Sequence, residues 1–533
     1  MPATQIAGSA PNERVNRAGR KVEPMSSPPL LGRLYTMGSL VTDDHGFQFG
    51  VKNRLFAATL VGVDGLVMDG IEVSLAEVTL VSDGVSVPAD DLGVGIAFPL
   101  RAEVIVRVAG PRLAEGQHEL EVSFRAEPFG DLVFEGRDVV VAASPMRPAL
   151  PRDLDDDQSD AAVQARRGFL AEHTGVTPEH LFAGSFDPHE TRGNIENFVG
   201  VAQVPIGLAG PLLVNGERAR GEFLIPLATT EGTLVASYNR GMKAINLAGG
   251  VTCTVVDDRM QRAPVFEFDD ARQSRDFCHW VNDHQAEIAA VAESTTSIGK
   301  LVEIECYLAS RLAFLRFDFT TGDAAGQNMV GRATFAACSW ILERMPTVRR
   351  FWLEANFATD KKASHVNMMR TRGKRVTAEI TLPRAVLARV LRVSPESLHE
   401  HANVANIGSF LSGANNNGLH AANAIAAMFI ATGQDAANVA ESSAAVVHTE
   451  VTSGGDFYVS ITLPSLILAT HGGGTGLPTQ RECLEILGCT ERGSVGKLAE
   501  IVAGTVLAGE ISLASAISSL DWVSSHEQFG RNR

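Results

Sequence analysis

Between Ser144 and Asp160 the chain reads SPMRPALPRDLDDDQSD, which holds three prolines and five aspartates. Such a stretch stays extended and solvated, because proline removes donors and fixes φ while the aspartates repel one another. It reads as a linker over 144–162, and it divides two different textures. Before it, from 33 to 143, apolar and polar residues alternate. His118-Glu119-Leu120-Glu121-Val122-Ser123-Phe124-Arg125 is a strict example, and 71–81, 103–108 and 132–141 are similar. Period two places one face on a core and one in water, so 33–143 is expected to be an all-β, sandwich-like domain. Residues 1–32 are polar, contain Pro28-Pro29 and show no period, the pattern of a disordered tail. The β region contains no cluster of His, Cys or paired carboxylates. It reads as an interaction or oligomerisation module, its partner unknown. After the linker the chain turns to Ala- and Gly-rich helix–strand alternation, an α/β (α+β) region that carries every chemical signal.

The 533 residues imply several domains. With 45% hydrophobic and 20% charged residues, the composition is that of a folded protein. Lys and Arg number 46 against 62 Asp and Glu, a net charge of −16 that disfavours nucleic acid as a partner. The six cysteines show no CxxC spacing, which points to reduced, mostly buried thiols and a cytoplasmic setting. No run of about 18 uncharged apolar residues occurs, and the N-terminus lacks the apolar stretch of a secretory signal. No membrane association and no bound metal are expected. No P-loop is present, and no GxGxxG opens a helix.

Five short constellations can carry chemistry. In Ala228-Thr229-Thr230-Glu231-Gly232 a threonine can cap a helix whose first turn holds Glu231, or Glu231 can pass a proton. Asp360-Lys361-Lys362, followed by Arg372-Gly373-Lys374, is either a solvated turn or a cationic clamp for an oxyanion or carboxylate. Gly322-Asp323-Ala324-Ala325-Gly326-Gln327-Asn328 runs into a helix whose N-terminal amides can hold a pyrophosphate, or it is a close-packed turn. His420 and Asn423 fall on one face of an Ala-rich helix that ends at Thr432-Gly433-Gln434-Asp435. Gly472-Gly473-Gly474-Thr475-Gly476 is dense enough in glycine to imply a close backbone approach.

Taken in order, these motifs closely resemble the 3-hydroxy-3-methylglutaryl-coenzyme A reductase family. Val204-Pro205-Ile206-Gly207-Leu208-Ala209-Gly210-Pro211-Leu212 and the stretch after Leu507 extend the likeness, which covers about 163–533. The Asp-Lys-Lys form is similar to the family's class I branch, which generally uses NADPH. The resemblance implies reduction of 3-hydroxy-3-methylglutaryl-coenzyme A to mevalonate by two hydride transfers, a step of the mevalonate pathway of isoprenoid biosynthesis. It implies a large catalytic domain (163–263 and 353–533) with an inserted ferredoxin-like NADP-binding domain (264–352). It also implies a site formed between subunits, hence a homodimer or homotetramer. By residue matching, Lys361 stabilises the carbonyl oxygen, Glu231 supplies protons and Asp435 completes their network. His526, after Ser525, protonates the departing thiolate of coenzyme A. Asn423 orients the site, Arg262, Lys362 and Asp360 meet the acyl carboxylate, and Asp323, Gly326, Gln327 and Asn328 line the dinucleotide site. For Glu231 to be protonated near neutral pH, burial or a neighbouring carboxylate is expected to raise its pKa.

The chain departs from the family pattern at Leu520-Asp521, at Val404 in place of a lysine, and at Glu354 in place of a serine. It departs also at Ser297 in place of an arginine near the cofactor, and in the loop 413–419, one residue short. Two rivals follow: a reductase of a different acyl-coenzyme A thioester, or a binding scaffold on a decayed reductase.

Overall fold

The computed structural model describes residues 31–54, 57–141 and 149–519. The chain divides into two compact units, 1–147 and 148–533. In the first, two five-stranded antiparallel sheets enclose one apolar core that includes Phe49, Leu66, Val106 and Phe134. Its longest hairpin pairs Gly116–Glu127 with Gly130–Val140, and their alternating burial matches the period-two sequence. The fold extends further toward the N-terminus than the composition implied. Leu31–Leu34 forms a short 3-10 turn that buries Leu31 and Leu34, so the last two residues of the expected tail belong to the domain. Asp138 ties this turn down. Its carboxylate accepts from Tyr35 Oη at 2.6 Å and from the backbone N–H groups of Gly38 and Leu40.

The second unit is mixed α/β. Its first helix, Asp160–Thr174, begins two residues before the expected end of the linker, because Ser159 accepts from Ala162 N–H and caps it. Arg166, buried in that helix, returns to Asp157 at 2.7 Å and fixes the end of the Asp-rich stretch. An eight-stranded sheet, antiparallel throughout its ladders, organises the rest. One half contains Thr252–Arg262, Gly373–Leu382, Phe457–Leu466 and Val446–Val451. The other half runs, in spatial order, Arg350–Trp352, Val265–Glu267, Leu312–Phe319 and Leu301–Ala309. Thr252–Arg262 belongs to both, since its last three residues pair with Leu312–Phe319. It therefore sets the position of Arg262 at the junction.

The main core surrounds the helix Val495–Ser518, which is buried along nearly all of its length. It is long and apolar enough to cross a bilayer by composition, but 78% of its apolar window is covered by the rest of the fold. Two buried glutamates also give it internal tasks. Glu500 accepts from the N–H groups of Glu217, Arg218 and Ala219, and Glu510 from those of Leu419 and His420. Glu510 thereby satisfies amides at the start of the helix Ala421–Thr432, the kind of orphan donors that a helix N-terminus leaves.

Candidate active site

The segment carrying Asp360-Lys361-Lys362 follows Arg350–Trp352 and holds three non-glycine residues in left-handed conformation: Asn356 (φ 64°), Thr359 (60°) and Lys361 (56°). Such conformations persist only where the surroundings impose them, above all at a β-branched residue. The surroundings here are specific. Thr359 Oγ1 donates to Asn367 Oδ1 at 2.9 Å, and Lys361 N–H donates to Glu441 Oε1 at 3.2 Å. Glu441 is itself fully buried against Arg372 at 2.6 Å, and Arg372 also reaches Asp360 at 2.9 Å. Burial pushes the Glu441 carboxyl up to about 7, against the pull of Arg372 and the Lys361 N–H. Arg372 is thus an internal strut of the Lys361 loop rather than part of an open clamp.

Held this way, the Lys361 ammonium lies 2.8 Å from Asp435 Oδ2, both side chains remaining two-fifths exposed or more. The hydrogen bond to Asp435 raises the Lys361 pKa. Burial pushes Asp435 up, but the Lys361 bond and the Ala437 N–H outweigh it, so its carboxylate titrates below the usual range. Asp435 is presented by the turn after the helix Ala421–Thr432, and a second loop packs directly on that turn. A Cβ at Gly433 would collide with Gly474 O, so the glycine-rich loop 472–476 does make a close backbone approach.

Glu231 sits elsewhere. It precedes its helix, Leu234–Leu247, instead of lying in the first turn, since Thr229 Oγ1 accepts the Glu231 N–H at 3.0 Å and folds the segment into a turn. Its carboxylate accepts from Asn423 Nδ2 at 3.1 and 3.0 Å. The expected burial is absent within the described residues, where Glu231 is exposed. Nor does a described hydrogen bond or ion pair join Glu231–Asn423 to Lys361–Asp435. Nine residues of helix, about 14 Å, separate Asn423 from Thr432, and Asp435 lies beyond that end. His420 caps the same helix and is buried against Tyr238, and that burial pushes its pKa down to about 4. It is a neutral core histidine.

Of the remaining candidates, Asp360 and Arg262 meet at Gln327, first residue of the 18-residue helix Gln327–Arg344. Its side chain reaches Asp360 and Asn438, each at 3.4 Å, and its carbonyl accepts from Arg262 at 3.3 Å. Gly326, at φ 78°, is the N-cap, and no side chain caps the first turn, where Asn328 is exposed. Asp323 has a different use. It accepts from Gly493 N–H at 2.8 Å and Val495 N–H at 3.3 Å, anchoring the start of the central helix. Lys362 Nζ donates to the Asp360 carbonyl at 2.9 Å. Arg262 pairs with Glu354 at 3.2 Å. Lys300, near the cofactor departure at Ser297, pairs with Glu293 at 2.7 Å. Ser525, His526 and the Leu520-Asp521 departure lie outside the described residues. No metal-binding cluster of His, Cys, Asp and Glu occurs among the described residues.

Sequence reasoning missed Glu441. Its only signal was an acidic residue inside an Ala- and Val-rich run, where a charge is unexpected without a buried partner.

Residues 162–531 match the model of the family described as hydroxymethylglutaryl-coenzyme A reductase. The chain belongs to this family. Residues 30–141 match the model of the hydroxymethylglutaryl-CoA reductase N-terminal domain, so the β region that the resemblance left unrecognised matches a domain of the same family. Its alternation is generic to half-buried sheets and carries no catalytic residue, so nothing in it pointed to the family. Among similar proteins is a 3-hydroxy-3-methylglutaryl-coenzyme A reductase of Pyrococcus abyssi. It is 44% identical over 379 residues, which are 69% of this chain and 93% of the relative. Reductase 1 of Gossypium hirsutum is 38% identical over 426 residues, 78% and 71% of the two chains. A solved class II reductase of Streptococcus pneumoniae, bound to NADPH, shares the fold at TM-score 0.51 and 21% identity. That match covers 69% of this chain and 87% of the other.

Proposed function

We propose that this chain reduces 3-hydroxy-3-methylglutaryl-coenzyme A to mevalonate and coenzyme A, with NADPH as reductant. The observation that carries this reading is the exposed Lys361 ammonium, fixed by a strained loop and paired with Asp435. A preorganised cation of this kind stabilises an oxyanion as a thioester carbonyl gains charge. Asp435 keeps the ammonium protonated and aimed. Glu231, held by Asn423, supplies a proton to the carbonyl oxygen, and His526 protonates the thiolate as it leaves. Arg262 and Lys362 take the acyl carboxylate.

NADPH, when bound, supplies the hydride at each reduction. The chain fits it at the uncapped N-terminus of Gln327–Arg344, which attracts phosphate, where Gly326 lets the turn pack closely on Thr321. Gln327 and Asn328 line that end, while Asp323 fixes the loop behind it. We read residues 264–352 as a ferredoxin-like insert. In support, counting Thr252–Arg262 and Val265–Glu267 as one interrupted strand, its β-α-β-β-α-β connectivity gives the spatial order 4-1-3-2. The Asp360-Lys361-Lys362 form supports the class I branch.

The two half-sites, Lys361–Asp435 and Glu231–Asn423, support a complete site assembled from two chains, each supplying one half. Val404, Ile407, Phe410 and Leu411 on the helix Pro395–Ser412 are all more than 60% exposed, an apolar surface suited to such an assembly. A cytoplasmic setting accords with the free cysteines, five of them buried.

Loss of NADPH absorbance on addition of the thioester tests this reading. A panel of other acyl-coenzyme A thioesters identifies the preferred acyl group. With His526→Ala, reduction of free mevaldehyde should survive better than reduction of the thioester, since only the thioester releases a thiolate.

A further inference from the structure

Arg262 stands in surroundings that call for an anion. A Cβ at Gly331 would lie 3.8 Å from its Nε and from one terminal nitrogen, which places the guanidinium beside the first turn of Gln327–Arg344. That turn is the positive end of a helix and has no side-chain cap. Two positive ends therefore meet. One terminal nitrogen donates to the Gln327 carbonyl, while Nε is buried and has no hydrogen-bond partner. The only carboxylate paired with Arg262 among the described residues is Glu354, through a single contact of 3.2 Å, and the Glu354 side chain is 35% exposed. Its other oxygen accepts the Asn356 N–H at 2.7 Å, at the start of the strained segment leading to Lys361. On its far side, Glu354 borders an open pocket lined also by Glu267, Arg311 and Trp352. Arg311 there is already paired with Glu267 at 2.7 Å, so the opening offers the Glu354 carboxylate solvent rather than a second cation.

We propose that Glu354 is a displaceable internal carboxylate on Arg262, which the terminal carboxylate of the substrate must replace on binding. The proposal rests on the reductase reading above and deepens it by naming what sets the substrate's affinity. In the free protein Glu354 neutralises Arg262 and spares it an unpaired charge in a partly buried place. An arriving carboxylate must break one ion pair to form another and meets a like charge on approach. Glu354 thus raises KM for acyl groups that end in a carboxylate. It discriminates less against the same acyl chain without that carboxylate, which does not compete for Arg262.

Steady-state kinetics of the full chain carrying Glu354→Gln, and separately Glu354→Ser, tests this. Gln keeps an oxygen for the Asn356 N–H and loses only the charge. Both variants should lower KM for 3-hydroxy-3-methylglutaryl-coenzyme A about two- to fivefold, the range of a partly exposed ion pair. The inhibition constant of free 3-hydroxy-3-methylglutarate should fall by a similar factor, with kcat and the KM for NADPH little changed. Normal turnover with both constants unchanged would overturn the role of Glu354 and leave the reductase reading intact. A fall in kcat with KM unchanged would make Glu354 a support of the Lys361 loop and likewise overturn the proposal. No NADPH oxidation by the unaltered protein would overturn the reductase reading, and this proposal with it.

Discussion

Two arginine–glutamate pairs flank the same functional loop and behave as opposites. Arg372 and Glu441 are fully buried and joined at 2.6 Å, with Asp360 and the Lys361 backbone as further partners. Arg262 and Glu354 are partly exposed and joined by one contact of 3.2 Å. The first pair cannot separate without stranding charge in the core, so it serves as scaffold. The second can exchange partners with solvent or ligand, so it can serve in recognition. The same two residue types take different roles because burial differs, not because their chemistry does.

The largest effect should come from breaking the buried pair. Arg372→Leu leaves Glu441 and Asp360 without their cation and should destabilise the catalytic unit by about 3–5 kcal/mol, measured by denaturant unfolding. A loss below about 1 kcal/mol would place this pair in the same class as the exposed one. Next comes the ammonium that the pair positions. Lys361→Ala should cost on the order of a hundredfold in turnover, with stability and NADPH affinity nearly unchanged. Equal loss of cofactor binding would move Lys361 out of the oxyanion role. The exposed pair should respond least among the three, through the KM shift of the Glu354 variants.

The β domain offers a smaller effect. His118, 8% exposed, contacts Asp69 Oδ2 at 2.7 Å through Nδ1 and the Ala114 carbonyl at 2.8 Å through Nε2. Both neighbours are acceptors, so the protonated ring can donate to each of them. The Asp69 bond, then the Ala114 carbonyl, raises its pKa, while burial opposes them. A raised histidine pKa stabilises fully below the unfolded value of about 6.5, and that contribution disappears as pH rises through the folded value. Thermal unfolding of the domain should therefore lose about 1 kcal/mol of stability above that value, and His118→Gln should flatten the dependence. An identical pH profile in the variant would remove the imidazolium from this account.

Much of this was legible in the sequence because it rests on local pattern. Alternation gave the β domain and the glycine-dense stretch gave a close backbone contact. The ordered motifs named Lys361, Asp435, Glu231 and Asn423 but put the first three in one network, where the structure shows two separate pairs. Glu441 and Glu354 were harder to place because their roles depend on partners far away in sequence. Arg372 lies 69 residues from Glu441, and Arg262 lies 92 from Glu354. Burial made the difference again at Arg372, which read as a possible clamp and became a strut. The turn that takes Glu231 out of its helix was also hidden, because Thr229 can serve a helix cap or a tight turn equally well.

One measurement probes the proposed division of the site into two halves. Glu231→Gln and Lys361→Ala should each abolish most activity alone. Coexpressed in one cell and purified as mixed oligomers, they should recover about a quarter of wild-type turnover, since only mixed dimers carry one intact pair of halves. Well-folded, assembled mixed protein that shows no activity above either variant alone would contradict a site shared between chains.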